Sequence, residues 1–135
     1  MRREPSFACP VPQRRYVKAG RENHVMIEDT IGKIETRIQN AESIKADRRR
    51  ELLELLGTLK SEVAKLSQTH GEAAESIAGF TEVSAHEATR APQNPQLLKL
   101  SLEGMGSSVQ GFEESHPRLV QIVNAISNTL SNLGI

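Results

Sequence analysis

The chain has 135 residues, equal numbers of acidic and basic side chains, one cysteine and few aromatic residues (3%). This length is typical of one domain, and a single cysteine excludes a disulfide framework and a cysteine-rich zinc site. Beyond residue 25, helix-forming residues dominate and alternating β-branched runs are missing, which indicates an all-α fold. No apolar run approaches the roughly 18 residues of a membrane helix, and no secretory signal is visible, so we expect a cytoplasmic location.

The charge is unevenly distributed along the chain. Residues 1–24 contain six basic residues against two acidic ones, together with three prolines. We interpret residues 1–25 as a basic, disordered tail, because proline breaks helices and the apolar residues there show no period. Two alternatives stay open: the tail contacts nucleic acid or another acidic surface, or Met26 is the natural start. The remaining chain is acidic, so we expect no nucleic-acid binding outside the tail.

Residues 26–135 are predicted to form one helical domain. A first helix is expected at about 26–42, and two longer helices at about 47–90 and 95–133. The apolar residues of the two longer helices step alternately by four and three, which keeps one helix face pointed at a neighbour. Because a proline-containing turn at 92–95 separates them, we predict that they pair as a long antiparallel hairpin. The first helix contributes the apolar residues Ile27, Ile31, Ile34 and Ile38.

Each long helix contains a weak point. Gly71 costs roughly 1 kcal/mol in a helix interior, and Pro117 removes a backbone hydrogen bond. The hairpin pairing places these two residues at nearly the same level, which predicts a joint irregularity, a bend, near Gly71 and Pro117. The first helix then reaches only one end of the hairpin. That end becomes a three-helix bundle, and residues 71–112 form an arm of two helices.

The predicted two-helix arm exposes an apolar face. Two helices alone cannot cover such a face, and a second copy of the chain is the simplest cover. We therefore expect a homodimer in which two arms form a four-helix bundle. The predicted interface consists of Ile77, Phe80, Leu98, Leu102, Met105, Val109 and Phe112.

Two histidines are the main candidates for chemistry. His70 and His116 lie on the apolar stripes of facing helices, and Glu113 precedes His116 at the spacing used in carboxylate-bridged metal bundles. Such sites require a second Glu-x-x-His unit and further carboxylates, which the sequence lacks, so we predict no metal and no cofactor. Three interpretations stay open: structural histidines at a turn and a bend, a pH-sensitive histidine layer, or a metal or small-ligand site.

A short motif near the C-terminus resembles a known family. Phe-Glu-Glu-Ser-His-Pro at 112–117, followed by an apolar run to a final Leu-Gly-Ile, is similar to the C-terminal half of a family of short bacterial helical proteins. That family is a domain-of-unknown-function family. A leucine-rich segment at 52–56 is similar to its first half. The resemblance covers about 26–70 and 94–135, and shorter members lack 71–93. The resemblance implies a helical fold and a bacterial origin. It does not imply an activity, because the family has none assigned.

The sequence contains no pattern typical of an enzyme. It lacks a Gly-x-Ser-x-Gly nucleophile elbow, and Cys9 lies in the tail. We therefore predict a non-enzymatic helical protein-protein interaction or assembly protein, a homodimer with an unidentified protein partner. The alternative is a metal- or small-ligand-binding or pH-responsive helical bundle centred on His70 and His116.

Overall fold

The computed structural model describes residues 19–133, and of residues 19–25 it describes only the backbone. Within that range the chain forms five α-helices and no strand, and the helices pack against one another as a bundle. The predicted all-α fold is confirmed. The helices are α1 (Ala19–Asn40), α2 (Ala46–Ser67), α3 (Gly71–Thr89), α4 (Pro95–Ser108) and α5 (Pro117–Leu133).

The first helix begins earlier than the sequence suggested. Its first residue is Ala19, so the last part of the predicted tail (1–25) is helical rather than disordered. The rest of that tail, residues 1–18, lies outside the described residues, and so does the expectation that it contacts an acidic surface. The predicted helix end near residue 42 is close to the observed end at Asn40.

Three helices form the centre of the bundle and two lie outside it. α2, α3 and α5 contact one another, while α1 packs against α2 and α3, and α4 packs against α3 and α5. Consecutive helices run in opposite directions. The link between α1 and α2, the link between α3 and α4, and Leu133 at the end of α5 meet around one cavity of about 270 Å³.

The predicted long hairpin is wrong, because the chain reverses direction at both of its weak points. Gln93 donates a hydrogen bond from Nε2 to the carbonyl oxygen of Leu133 at 3.2 Å. A long hairpin would place these two residues at opposite ends of the molecule. A stripe that steps by four and three can continue across a short turn, so periodicity alone does not distinguish one long helix from two antiparallel helices. Gly71 and Pro117 are each the first residue of a new helix rather than the site of a bend.

Local sequence explains the start of α4 but not that of α2. The Asn94 side chain accepts a hydrogen bond from the Leu97 amide at 3.1 Å, and Pro95 occupies the first helical position. At the start of α2 the N-cap residue is Lys45, which makes no capping hydrogen bond with its side chain, and Asp47 lies inside the first turn. In the link before α5, Gly111 has a φ of 95°, a conformation that glycine adopts without steric cost.

The core is aliphatic, and large side chains pack against small ones in it. α1 buries the four predicted isoleucines, each at most 2% exposed, and α2 buries a matching row of leucines. α3 contributes small side chains, which allow its neighbours to approach closely. Burial of one isoleucine stabilises the fold by roughly 1.5–3 kcal/mol. The small buried residues of α3 are Ala74, Ala78, Thr81, Ser84, Ala85 and Ala88.

Candidate functional site

The predicted interface residues do not form one exposed face. The chain reversal after α2 places other helices over the region that a two-helix arm would have left open, and most of these side chains lie in the chain's own core. The reason given for that interface therefore does not hold. Four of the seven predicted interface residues are buried: Ile77, Leu98, Met105 and Val109. Leu102 and Phe112 are half-buried, and Phe80 is exposed.

Exposed apolar side chains instead gather on the outer side of α3 and α4. Phe80 and Val83 are 40% and 47% exposed on α3, and Leu97 and Leu100 are 41% and 52% exposed on α4. Residues three apart in a helix lie on the same face, so each pair forms a small apolar patch. Among the side chains that the structure describes, Met26 on α1 is the other large apolar residue with comparable exposure.

The two patches adjoin at Gly104. A Cβ atom added at Gly104 would overlap the Phe80 ring, so this ring lies directly on the α4 backbone. Gly104 is four residues beyond Leu100 and therefore shares a helix face with it. We call these four side chains the α3–α4 apolar face: Phe80, Val83, Leu97 and Leu100.

Charged side chains flank this face but do not interrupt it. On the side of α3, Glu82 lines a groove shared with α1. On the side of α4, Lys99 and Glu103 line a groove shared with α5. Both borders of the α3–α4 apolar face are therefore of mixed charge, because Lys33 and Arg37 of α1 line the same groove as Glu82.

Sequence reasoning missed three of these four residues because it followed a single stripe per helix. Val83, Leu97 and Leu100 lie off the stripes that were used to pair the helices. A signal was present in α4, where leucines occur at both 97 and 98 and again at 100 and 102. Such spacing places apolar residues on two faces of one helix, which indicates two neighbours rather than one.

The structure does bring His70 and His116 together, with Phe112 beside both. The ring centroids of the two histidines are 6.5 Å apart, and Phe112 lies 5.3 Å from His70 and 5.8 Å from His116. All three ring pairs meet edge to face, a favoured aromatic geometry. His70 precedes α3 and His116 precedes α5, so the cluster covers one end of the bundle.

The chemistry available to this cluster is limited by exposure and by its neighbours. His70 is exposed, and its Nδ1 lies 2.8 Å from the Thr69 hydroxyl, with the donor set by the histidine tautomer. The Glu113 carboxylate accepts a hydrogen bond from the Gly111 amide at 2.9 Å. Among the described residues, no three histidine, cysteine, aspartate or glutamate side chains are close enough to hold one metal ion.

Comparison with known families identifies the family to which the chain belongs. Residues 52–135 match the model of the family described as Domain of unknown function (DUF4404). The chain belongs to this family. The match confirms the resemblance, although it begins at Leu52 rather than at 26 and includes 71–93, which the resemblance left out. No curated protein and no solved structure matches the chain significantly.

Both candidate sites lie within the DUF4404 match, whereas α1 lies entirely outside it. The matched part begins inside α2 and continues through α5, so it contains most of α2 and all of α3, α4 and α5. A search of the described residues for a helix long and apolar enough to cross a membrane finds none.

Proposed function

We propose that this protein is a non-enzymatic interaction or assembly protein that forms a homodimer through the α3–α4 apolar face. The observation that supports this proposal is the gathering of exposed Phe80, Val83, Leu97 and Leu100 on two adjacent helices. Contiguous apolar surface of this kind marks interaction sites on otherwise polar proteins. The cytoplasmic location expected from the sequence, and a further protein partner bound by the dimer, belong to the same proposal.

The absence of charge on this face is compatible with a second copy as its occupant. In a two-fold dimer the same surface meets itself, so a charge near the axis would meet a like charge. All four residues of the face are uncharged, so two copies can meet here without burying like charges.

The size of the face predicts a weak dimer. α4 has 14 residues, which gives a length of about 21 Å at 1.5 Å per residue. Two adjacent helices are roughly 20 Å wide, so the face offers about 400 Å² per copy, near half of a standard interface. An interface of this size is at the low end of specific association, so we expect a dimer that dissociates on dilution.

Sedimentation equilibrium of the full chain from about 1 to about 500 µM tests the proposal. We expect the wild type to change from monomer to dimer as its concentration rises, because the dimer is stabilised by burial of the α3–α4 apolar face. Leu100→Gln and Val83→Gln should shift the midpoint to at least roughly tenfold higher concentration without loss of helical content. Met26→Gln, which changes an exposed apolar residue on α1, is the matched control and should leave the midpoint unchanged. A wild type that is monomeric throughout would refute the dimer.

A second candidate function is favoured by the proximity of His70 and His116. Histidine is the side chain that ordinarily changes charge between about pH 5 and 8. Two imidazolium groups whose rings are 6.5 Å apart repel by about 0.6 kcal/mol in water. We infer that this end of the bundle loosens as pH falls. The charged groups on the surrounding helices and link are Glu62, Lys65, Glu72, Glu113, Glu114 and Arg118.

Thermal unfolding at pH 8 and pH 5 tests the pH-responsive candidate. The wild type should lose more stability at pH 5 than the double variant His70→Gln/His116→Gln, since the variant cannot form the charged pair. His86→Gln serves as the control because His86 is exposed on α3 away from the cluster. Equal pH dependence in wild type and double variant would exclude this function.

A further inference from the structure

α1 occupies a groove in the manner of a bound peptide. Its four buried isoleucines occur at 27, 31, 34 and 38, and each is at most 2% exposed. This spacing of i, i+4, i+7 and i+11 is the anchor pattern by which an amphipathic helix binds a hydrophobic groove. The two walls of the groove are α2 and α3, the helices that α1 contacts.

The two walls of the groove contact each other and also α5. The α3 wall carries small buried residues such as Ala78 and Ala85, and the α2 wall carries leucines such as Leu56. A wall of small residues opposite large aliphatic anchors gives close packing along the length of the bound helix.

Polar contacts fix the position and direction of α1 in this groove. On α2, the guanidinium group of Arg49 donates hydrogen bonds to the carbonyl oxygens of Ile38, Ala41 and Ile44 at 3.3, 2.6 and 2.8 Å. These carbonyls lie at or just beyond the C-terminus of α1, where basic side chains are favourable. Lys60, also on α2, pairs with Glu35 at 3.0 Å.

The family match covers most of the groove and none of its occupant. DUF4404 similarity begins at Leu52, so most of α2 and all of α3 lie inside the matched part, whereas α1 does not. We propose that the α2–α3 groove is a binding site for an amphipathic helix with four aliphatic anchors, and that α1 fills this site in cis. A partner helix with the same spacing competes with α1 for the groove. This inference does not depend on the α3–α4 apolar face.

A cut in the link between α1 and α2 tests the proposal with every residue still present. Glu42 and Ser43 are exposed, so a protease recognition sequence can be inserted between them. The probe is a fluorescent peptide of residues 19–41, added in about 100-fold excess to the cut protein. We expect the cut protein to keep its helical content and the labelled peptide to replace the native fragment, seen as a rise in anisotropy.

A matched peptide shows whether the isoleucines determine binding. A peptide with Ile31→Asp and Ile38→Asp should compete at least roughly 100-fold less well, because it would bury two unpaired carboxylates. The assay is carried out in the Leu100→Gln background, so that self-association through the α3–α4 apolar face does not contribute. The same excess of wild-type peptide should not bind the uncut protein to a comparable extent, because there the tethered α1 has a high effective concentration.

Three results would overturn the proposal. The labelled peptide could fail to exchange into the cut protein, the fragment that begins at Ser43 could lose its helical content once α1 is removed by chromatography, or the double-aspartate peptide could bind as well as the wild-type one. The first two would show that α1 is an integral part of the core, and the third would show that the isoleucine anchors do not define a ligand.

Discussion

α1 and α4 are the two outer helices of the bundle, and they differ in how they use their apolar residues. Each lies against two of the three central helices. α1 has 22 residues and keeps its isoleucines on one buried face. α4 has 14 residues and carries leucines on two faces, with Leu98 buried but Leu97 and Leu100 exposed.

The difference shows where the chain leaves apolar surface uncovered. A helix whose apolar residues share one face is covered by the groove beneath it, whereas a helix with apolar residues on two faces keeps its outer face exposed unless a further element covers it. The chain supplies both walls for α1 but covers only the inner face of α4. We therefore expect loss of an α1 side chain to affect folding, and loss of an outer α4 side chain to affect association.

The largest expected effect comes from truncating one residue on each outer helix. Ile31→Ala should lower the free energy of unfolding by about 2–5 kcal/mol, because it removes a fully buried side chain and leaves a cavity. Leu100→Ala, at 52% exposure, should lower it by at most about 0.5 kcal/mol. Denaturant unfolding at low micromolar protein, where the proposed dimer would be dissociated, gives both values. Equal losses would remove the distinction between the two helices.

A smaller effect is expected from the polar contacts that hold the end of α1. Arg49→Ala removes the donor for three carbonyl oxygens, and we expect a loss of about 1–2 kcal/mol, since the guanidinium is only partly buried. Its neighbour Arg50 pairs with Asp47 at 3.3 Å on the exposed surface, so Arg50→Ala should cost at most about 0.5 kcal/mol.

Hydrogen exchange distinguishes this local role of Arg49 from a general loss of stability. Amides of α1 should lose protection in Arg49→Ala before those of α5, because only the end of α1 is released. A uniform loss across both helices would contradict the contacts that we assign to Arg49.

Much of the core was predictable because it depends on local periodicity. The isoleucine face of α1 was predicted from spacing and is buried. The helix boundaries at Pro95 and Leu133 were also predicted, since proline and the end of the apolar pattern mark them. These features follow from residues close together in the sequence.

The reversals at 68–70 and 109–116 could not be derived from that periodicity. An apolar stripe that keeps its register across a turn reads as one long helix, and the two-helix arm and its interface followed from that error. The proximity of His70 and His116 was still predicted, because each residue adjoins one of the two reversals. The contacts of Arg49 were missed, since its three acceptor carbonyls are brought near only by the packing of α1 on α2.

The smallest expected effect concerns the contact between the Phe80 ring and the α4 backbone at Gly104. Alanine is favoured over glycine inside a helix by about 1 kcal/mol, but at position 104 its Cβ would have to displace the Phe80 ring. We expect Gly104→Ala to stabilise the Phe80→Ala variant by up to about 1 kcal/mol and to stabilise the wild type less. Gly106→Ala meets no atom within 4 Å, so it should stabilise both backgrounds equally. If Gly104→Ala also has equal effects in both, Phe80 does not rest on α4, and the α3–α4 apolar face is two separate patches rather than one surface.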